Sequence, residues 1–172
     1  MTREDQLFKA LEQGDSSALE ELIGLYYPEI LRYCLWHAPN RSLAEDAAQE
    51  TFLKAIRYFD RYTHRGKWRA FLYRIAANTC IDMQRKMRDS DISIEELVTE
   101  PVYEDHSMAE VELRQMVRGL PSDLQEIVLL RFGHDMTLRE IAQVQGIPSR
   151  TVQSRLRSAL KQLKKFMEGG PL

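Results

Sequence analysis

Two cysteines, Cys34 and Cys80, are all that the 172 residues hold. They stand far apart, each in an apolar helical pattern, which excludes a disulfide-stapled scaffold and predicts two buried thiols. Cys34 and nearby His37 are too few donors for a structural zinc. No apolar run approaches the roughly 20 residues of a membrane-spanning helix, and the opening MTREDQLFKALEQGD lacks the apolar core of a secretory leader. A cytoplasmic protein with no inserted segment is expected. Internal repeats and low-complexity tracts are missing too. With 44% hydrophobic and 29% charged residues the composition excludes a disordered chain. The length allows one domain or two small ones.

Lysine and arginine vanish between residues 89 and 112, where nine acids stand alone. Residues 1–88 carry 14 Lys and Arg against 12 Asp and Glu, and residues 113–172 carry ten against five. The net charge of −2 taken alone weighs against a nucleic-acid binder, but its distribution does not. The acidic stretch 89–112, with Pro101 in its middle and a short helix expected around Ile94 to Leu97, reads as a linker between two positive ends. A solvated tether is the plain reading of the linker, and a shield for basic surface the other.

Acids vanish in turn from Ser149 to Lys165. This stretch ends a two-helix pattern. Thr137 with Glu140 fits a capping box at the start of the first helix, Gly146 suits its left-handed end, and Pro148 stops it. Ser149 is expected to cap the second helix, whose stripe of Val152, Leu156, Ala159, Leu160 and Leu163 faces a core. At about 100° per residue, Arg150, Gln153, Ser154, Arg157, Lys161 and Lys164 lie roughly opposite that stripe. A short helix, a glycine turn and a cationic second helix make a helix-turn-helix, the unit that seats its second helix in the major groove. Arg155, nearer the stripe, suits an internal ion pair as well as a phosphate.

The N-terminal residues read as helices throughout. Gly14 and Asp15 end one helix and cap another carrying Leu19, Leu22, Ile23 and Tyr26. Pro28 opens a further stretch that Pro39 closes. Ser42 with Glu45 suggests a second capping box, starting a helix to about Phe59 with Ala48, Phe52, Ala55, Ile56 and Phe59 inward. Asp46, Gln49 and Glu50 share its outer side, as a solvated face, a protein-docking patch, or, lacking further ligands, a poor metal or acid–base site. Five basic residues, Arg61, His64, Arg65, Lys67 and Arg69, then surround Tyr62 and Trp68 in DRYTHRGKWRA. Cations that follow phosphates and rings that stack on bases suit single-stranded nucleic acid. In the next helix Trp68, Phe71, Leu72, Ile75, Thr79 and Met83 are expected inward. Arg74, Asn78, Asp82 and Arg85 form a polar row that either pairs with itself or, through Asn78, reads a base edge.

Taken together these segments resemble the extracytoplasmic-function group of sigma factors within the sigma-70 family. Asp46-Ala47-Ala48-Gln49-Glu50-Thr51-Phe52 is similar to the family's D-x-x-Q-E-x-F docking helix. Phe71-Leu72-Tyr73-Arg74-Ile75-Ala76 with Asn78, Asp82 and Arg85 is similar to its W-L-Y-R-I-A-x-N-x-x-x-D-x-x-R helix. Leu120-Pro121, Leu129-Leu130-Arg131-Phe132, Gly146-Ile147-Pro148 and Thr151-Val152 with Ser154-Arg155-Leu156 resemble its C-terminal helix-turn-helix. The resemblance implies an all-α protein of two small helical domains, a sigma-2-like N-terminal domain over 1–88 and a sigma-4-like C-terminal domain over 110–168, joined by the acidic linker 89–109. It further implies that Asp46, Gln49 and Glu50 dock on the β′ coiled coil of RNA polymerase core and that the β flap is a second contact. Tyr62, His64, Arg65, Lys67, Asn78 and Arg85 would meet the minus-ten promoter element. Arg150, Thr151, Gln153, Ser154, Arg157 and Lys161 would meet the minus-thirty-five element. An anti-sigma factor is an implied partner; no cofactor, metal or catalytic residue is implied.

Departures from the pattern lie at the contacts. The loop reads Tyr62-Thr63-His64-Arg65-Gly66 where the family has F-R-G-D-S, Phe71 stands for Trp, Gln153 for Lys or Arg, and Arg150 for Gly. Gln pairs best with adenine where Arg pairs with guanine, which points to a minus-thirty-five sequence of its own. Two other readings remain at this level: a free-standing helix-turn-helix regulator, which would bind a palindrome without polymerase, and a small enzyme using His37, His64 or the Asp46 and Glu50 pair.

Overall fold

The computed structural model of the chain describes residues 1–62, 64–90 and 108–169. The described residues contain helices and turns and no strand. They fall into two units, Met1–Val102 and Tyr103–Leu172. Most of the proposed linker, including its expected helix around Ile94 to Leu97, lies outside the described residues, as does Thr63 of the loop.

The N-terminal unit holds α1 (Arg3–Glu12), α2 (Ser17–His37), α3 (Arg41–Arg57), a short 3-10 turn (Phe59–Arg61) and α4 (Trp68–Asp89). A capping box starts α1: the Asp5 amide donates to Thr2 Oγ1, and the Thr2 amide donates to Asp5 Oδ2 at 2.9 Å. The chain turns at Gly14, φ +89°, and Asp15 accepts from the Ser17 amide to open α2.

Pro28 does not divide α2, contrary to expectation; one helix of 21 residues runs through it. The reason lies in where the lost bond falls. Proline removes the hydrogen bond to the carbonyl four residues back, which belongs to Gly24, and both Gly24 and Pro28 are exposed. Water can satisfy that carbonyl, while Leu22 and Ile30, both fully buried, hold the helix from either side. Each such side chain contributes about 1.5–3 kcal/mol over leaving it exposed.

The start of α3 also differs. Its cap is Asn40, whose Oδ1 accepts from the Leu43 amide at 2.8 Å. Glu45 instead pairs with Arg41 at 3.0 Å along the same helix. Asn ranks with Ser as a cap, and Asn40 meets the helix two residues earlier. The buried stripe of α3 is Ala44, Ala47, Ala48, Thr51, Phe52 and Ala55, whereas Ile56 is 39% exposed. The stripe is rotated from the expected one and made mostly of alanine, so α3 packs closely against both α2 and α4. In α4, Trp68, Leu72 and Thr79 are buried as expected. Phe71, Ile75 and Met83 are only partly covered, and Tyr73, Ala76 and Cys80 complete the core. The two cysteines meet there, Sγ to Sγ at 3.8 Å, as buried thiols.

The C-terminal unit holds α5 (Met108–Arg118), α6 (Ser122–Val128), a π turn (Leu129–Gly133), α7 (Leu138–Gln145) and α8 (Ser149–Met167). Its core gathers Leu120, Ile127, Leu130, Met136, Ile141, Val144, Val152 and Ala159. Between the π turn and α7 the chain reverses with Asp135 in the left-handed region, φ +51°. The Met136 amide donating to the Leu130 carbonyl, and Arg131 Nη1 donating to the Met136 carbonyl at 2.7 Å, hold that bend.

Asn40→Ala should lower the stability of the N-terminal unit by about 1 kcal/mol, the usual cost of a lost cap. Ser42→Ala should change it by less than about 0.5 kcal/mol, as an exposed helix position does. Denaturant titration followed by circular dichroism measures both, and equal effects would return the cap to Ser42.

Candidate nucleic-acid interface

In the C-terminal unit the turn between α7 and α8 is built as its residues dictate. The Thr137 amide donates to Glu140 Oε1 and the Glu140 amide to Thr137 Oγ1, each at 3.1 Å. Gly146 closes α7 at φ +66°, a conformation that costs glycine nothing. Pro148 occupies the cap position of α8, and its carbonyl accepts from the amides of Thr151 and Val152. Ser149 is therefore the first helical residue and makes no side-chain cap, contrary to expectation. A proline carbonyl with fixed φ already starts the helix, so no hydroxyl is needed.

On α8, Val152, Ala159 and Leu163 are buried and Leu156 is partly so. Leu160, expected inward, is 45% exposed; at about 100° per residue it sits some 80° round the helix from Val152, at the edge of the contact. Arg150, Gln153, Ser154, Arg157, Lys161 and Lys164 are all exposed, and Thr151 is half-buried beside them. Arg155 turns back toward its own unit, with Nε 3.8 Å from Asp123 Oδ2 on α6. The result is a single face of cations and amide or hydroxyl donors with no acid in its own helix.

The N-terminal unit presents three further sets of residues. On α3, Asp46 and Gln49 are exposed and Glu50 partly so, with Glu50 Oε1 3.9 Å from Arg57. Asp46 and Glu50 also line a groove of about 560 Å³ between α3 and α4, whose apolar parts include Leu43, Met83 and Met87; Gln49 lies outside it. Lys54 spans the groove, donating to Thr79 Oγ1 at 3.1 Å and standing 3.9 Å from Asp82. The sequence pattern missed this groove because its two walls are distant in the chain.

On α4, Arg74, Asn78, Asp82 and Arg85 are all exposed. The loop before α4 is split. Arg65, Gly66 and Lys67 are exposed, Gly66 at φ +73°. Tyr62 and His64 turn inward. His64 stacks on Phe8 of α1 with ring centroids 4.0 Å apart, and its Nε2 meets Asp5 Oδ1 at 2.8 Å. Tyr62 lies among Phe8, Trp68 and Phe71, and burial pushes its phenol up to about 12. Trp68 is 3% exposed, inward as expected, so its ring is not available to stack on unpaired bases. These rings close a core with α1, and only the loop tip faces outward.

Among the described residues no cluster of His, Cys, Asp and Glu converges as a metal site, and no helix is long and apolar enough to cross a membrane.

Comparison with known proteins follows the same division. Residues 22–90 match the family model for sigma-70 region 2, and residues 110–163 match that for sigma-70 region 4. The chain is 27% identical to the ECF RNA polymerase sigma factor SigW of Bacillus subtilis (strain 168), over 91% of this chain and 92% of that one. It is 30% identical to the RNA polymerase sigma factor YlaC of the same organism, over 87% of this chain and 92% of that one. Among solved structures, the sigma factor RpoE from Bartonella quintana, determined in complex with the anti-sigma factor NepR, superposes with a TM-score of 0.71 at 22% identity. That superposition covers 87% of this chain and 96% of the other.

Proposed function

Because the chain belongs to the sigma-70 family of RNA polymerase sigma factors, in its extracytoplasmic-function group, we propose that it acts as an alternative sigma factor. It binds core RNA polymerase and directs it to specific promoters, by binding and not by catalysis, in the cytoplasm. The observation that carries the DNA-binding part is the acid-free exposed face of α8 behind the Gly146 turn. That face fits the major groove of the minus-thirty-five element. Arg150, Arg157 and Lys161 supply charge for phosphates or guanine, Gln153 an amide for adenine, and Thr151 and Ser154 hydroxyls.

The N-terminal unit divides its work between two faces. Asp46, Gln49 and Glu50 dock on the β′ coiled coil. Arg65, Lys67, Asn78 and Arg85, exposed on the loop tip and α4, take the minus-ten element, while Tyr62 and His64 hold the loop from within. Holding a flipped base offsets an unstacking cost of a few kcal/mol without any bond being broken. The β flap completes the contact with core, and an anti-sigma factor is the partner that would cover these faces in the resting cell. A free-standing regulator would have no use for the exposed carboxylates of α3 beside a polar row on α4.

The direct test is reconstitution: core polymerase with this chain should give run-off transcripts from defined start sites on genomic templates. Promoter-independent transcripts alone would defeat the proposal, as would tight binding of a palindromic operator without polymerase. Arg157→Ala should weaken promoter binding by about 1–3 kcal/mol if the side chain reads a base, or flatten the salt slope by about one unit if it touches phosphate. Glu50→Lys should weaken the affinity for core in a pull-down or fluorescence titration and leave the melting temperature of the N-terminal unit nearly unchanged, since Glu50 is partly exposed and its pairing with Arg57 is long.

A further inference from the structure

The region 2 match begins at residue 22, so α1 lies outside it. Yet α1 supplies the partners of the loop. Phe8 is 5% exposed, and its ring stacks on His64, lies parallel to Phe59 at 5.8 Å and meets Trp68 edge-on at 5.3 Å. Asp5 divides its carboxylate between two tasks: Oδ2 accepts from the amide and hydroxyl of Thr2, and Oδ1 meets His64 Nε2. The other imidazole nitrogen, Nδ1, lies 3.4 Å from the Tyr62 hydroxyl. The His64 hydrogen bond first, and Thr2 second, hold the Asp5 carboxyl well below the usual carboxylate range. Helix α1 is itself anchored, with Leu7 buried and Arg3 paired to Glu21 of α2.

We propose that α1 is a brace for the promoter-opening loop, in which Asp5 and Phe8 are positioning residues that grip His64 and so fix the exposed tip of Arg65, Gly66 and Lys67. Neither Asp5 nor Phe8 touches DNA in this arrangement. Tyr62 and His64 form the root of the loop, and the tip is what a strand meets. A freely moving loop would lose conformational entropy at each capture; a braced one has lost it on folding. The inference rests on the reading of that tip as part of the minus-ten contact.

The experiment uses reconstituted holoenzyme on a promoter mapped by run-off transcription. Permanganate reactivity of unpaired thymines reports the opening step, and mobility shift reports the closed complex. Asp5→Ala and His64→Ala should each slow opening by about tenfold, the scale of one charge-assisted hydrogen bond. The double variant should be no slower than either single one, as coupled partners require. Core affinity and closed-complex formation should stay within about twofold of the parent, and His64→Gln, whose amide can still donate to Asp5, should recover most of the rate. Thr2→Ala weakens the same helix cap without touching His64 and should leave opening unchanged.

Three results would overturn the brace. Opening could be unaltered by Asp5→Ala while the paired change Arg65→Ala with Lys67→Ala slows it, in which case the tip contact survives and the brace does not. Thr2→Ala could slow opening as much as Asp5→Ala, making the effect one of helix stability alone. Asp5→Ala could speed opening, making the contact a restraint. If the paired tip variant itself opens the promoter at the parent rate, the minus-ten reading of the loop fails, and the brace fails with it.

Discussion

The close packing of α3 between α2 and α4 is the constraint on which the N-terminal unit depends. Its inward residues are mostly alanines, Ala44, Ala47, Ala48 and Ala55, with Thr51 donating its hydroxyl to the Ala47 carbonyl at 2.7 Å and so hiding its one polar atom. Small side chains let neighbouring backbones approach, and they leave little freedom in how α3 is rotated about its axis. A helix fixed in rotation by one face has its other face fixed too. Asp46 and Glu50 thereby stand at the groove and Gln49 beside it, and no separate device is needed to aim them. The pairs of Arg69 with Glu29, at 3.2 Å, and of Lys54 with Thr79 and Asp82 fasten α4 to α2 and α3 in the same register. That register is also what lines up Arg74, Asn78 and Arg85 on the solvent side of α4.

The C-terminal unit solves the same problem with backbone chemistry. Its first helix of the helix-turn-helix pair is only eight residues long, too short to be stable by itself. The reciprocal Thr137 and Glu140 bonds satisfy donors at one end, and Gly146 in the left-handed region redirects the chain at the other. Ile141 and Val144 then face Val152, Ala159 and Leu163 within one core. The Asp123 carboxylate lies near Arg155, which turns one cation of α8 toward its own unit, while the outer cations have no acid on their own helix.

What could be read from the residues alone follows the range of the interactions. The box at Thr137 and the turn at Gly146 were legible because their signals sit within a few residues, and the two buried thiols because helical periodicity marks an apolar face. Three readings went astray where a nearby competitor carried the same signal. Asn40 outranked Ser42 as a cap, Pro148 made Ser149 unnecessary, and the exposure of Gly24 let α2 pass Pro28. The aromatic core under the loop was not legible at all. Asp5 and His64 are 59 residues apart, and Cys34 and Cys80 are 46 apart, separations over which no local pattern carries information. Basic residues alternating with aromatic ones in DRYTHRGKWRA suggested rings held ready for bases. The fold spends those rings on packing α1 and leaves the cations outside.

Net charge hides this arrangement because the protein has two kinds of partner. The proposed docking surface on α3 carries carboxylates, and the proposed DNA-facing surface on α8 has none over the whole helix. Over the whole chain the 24 Lys and Arg and the 26 Asp and Glu nearly cancel. Electrostatic attraction between exposed groups fades beyond about 10 Å at ordinary ionic strength, so what a bound strand meets is the local face and not the total. A chain of net charge −2 can therefore hold DNA, provided the face that meets it is free of acids, as the outer face of α8 is.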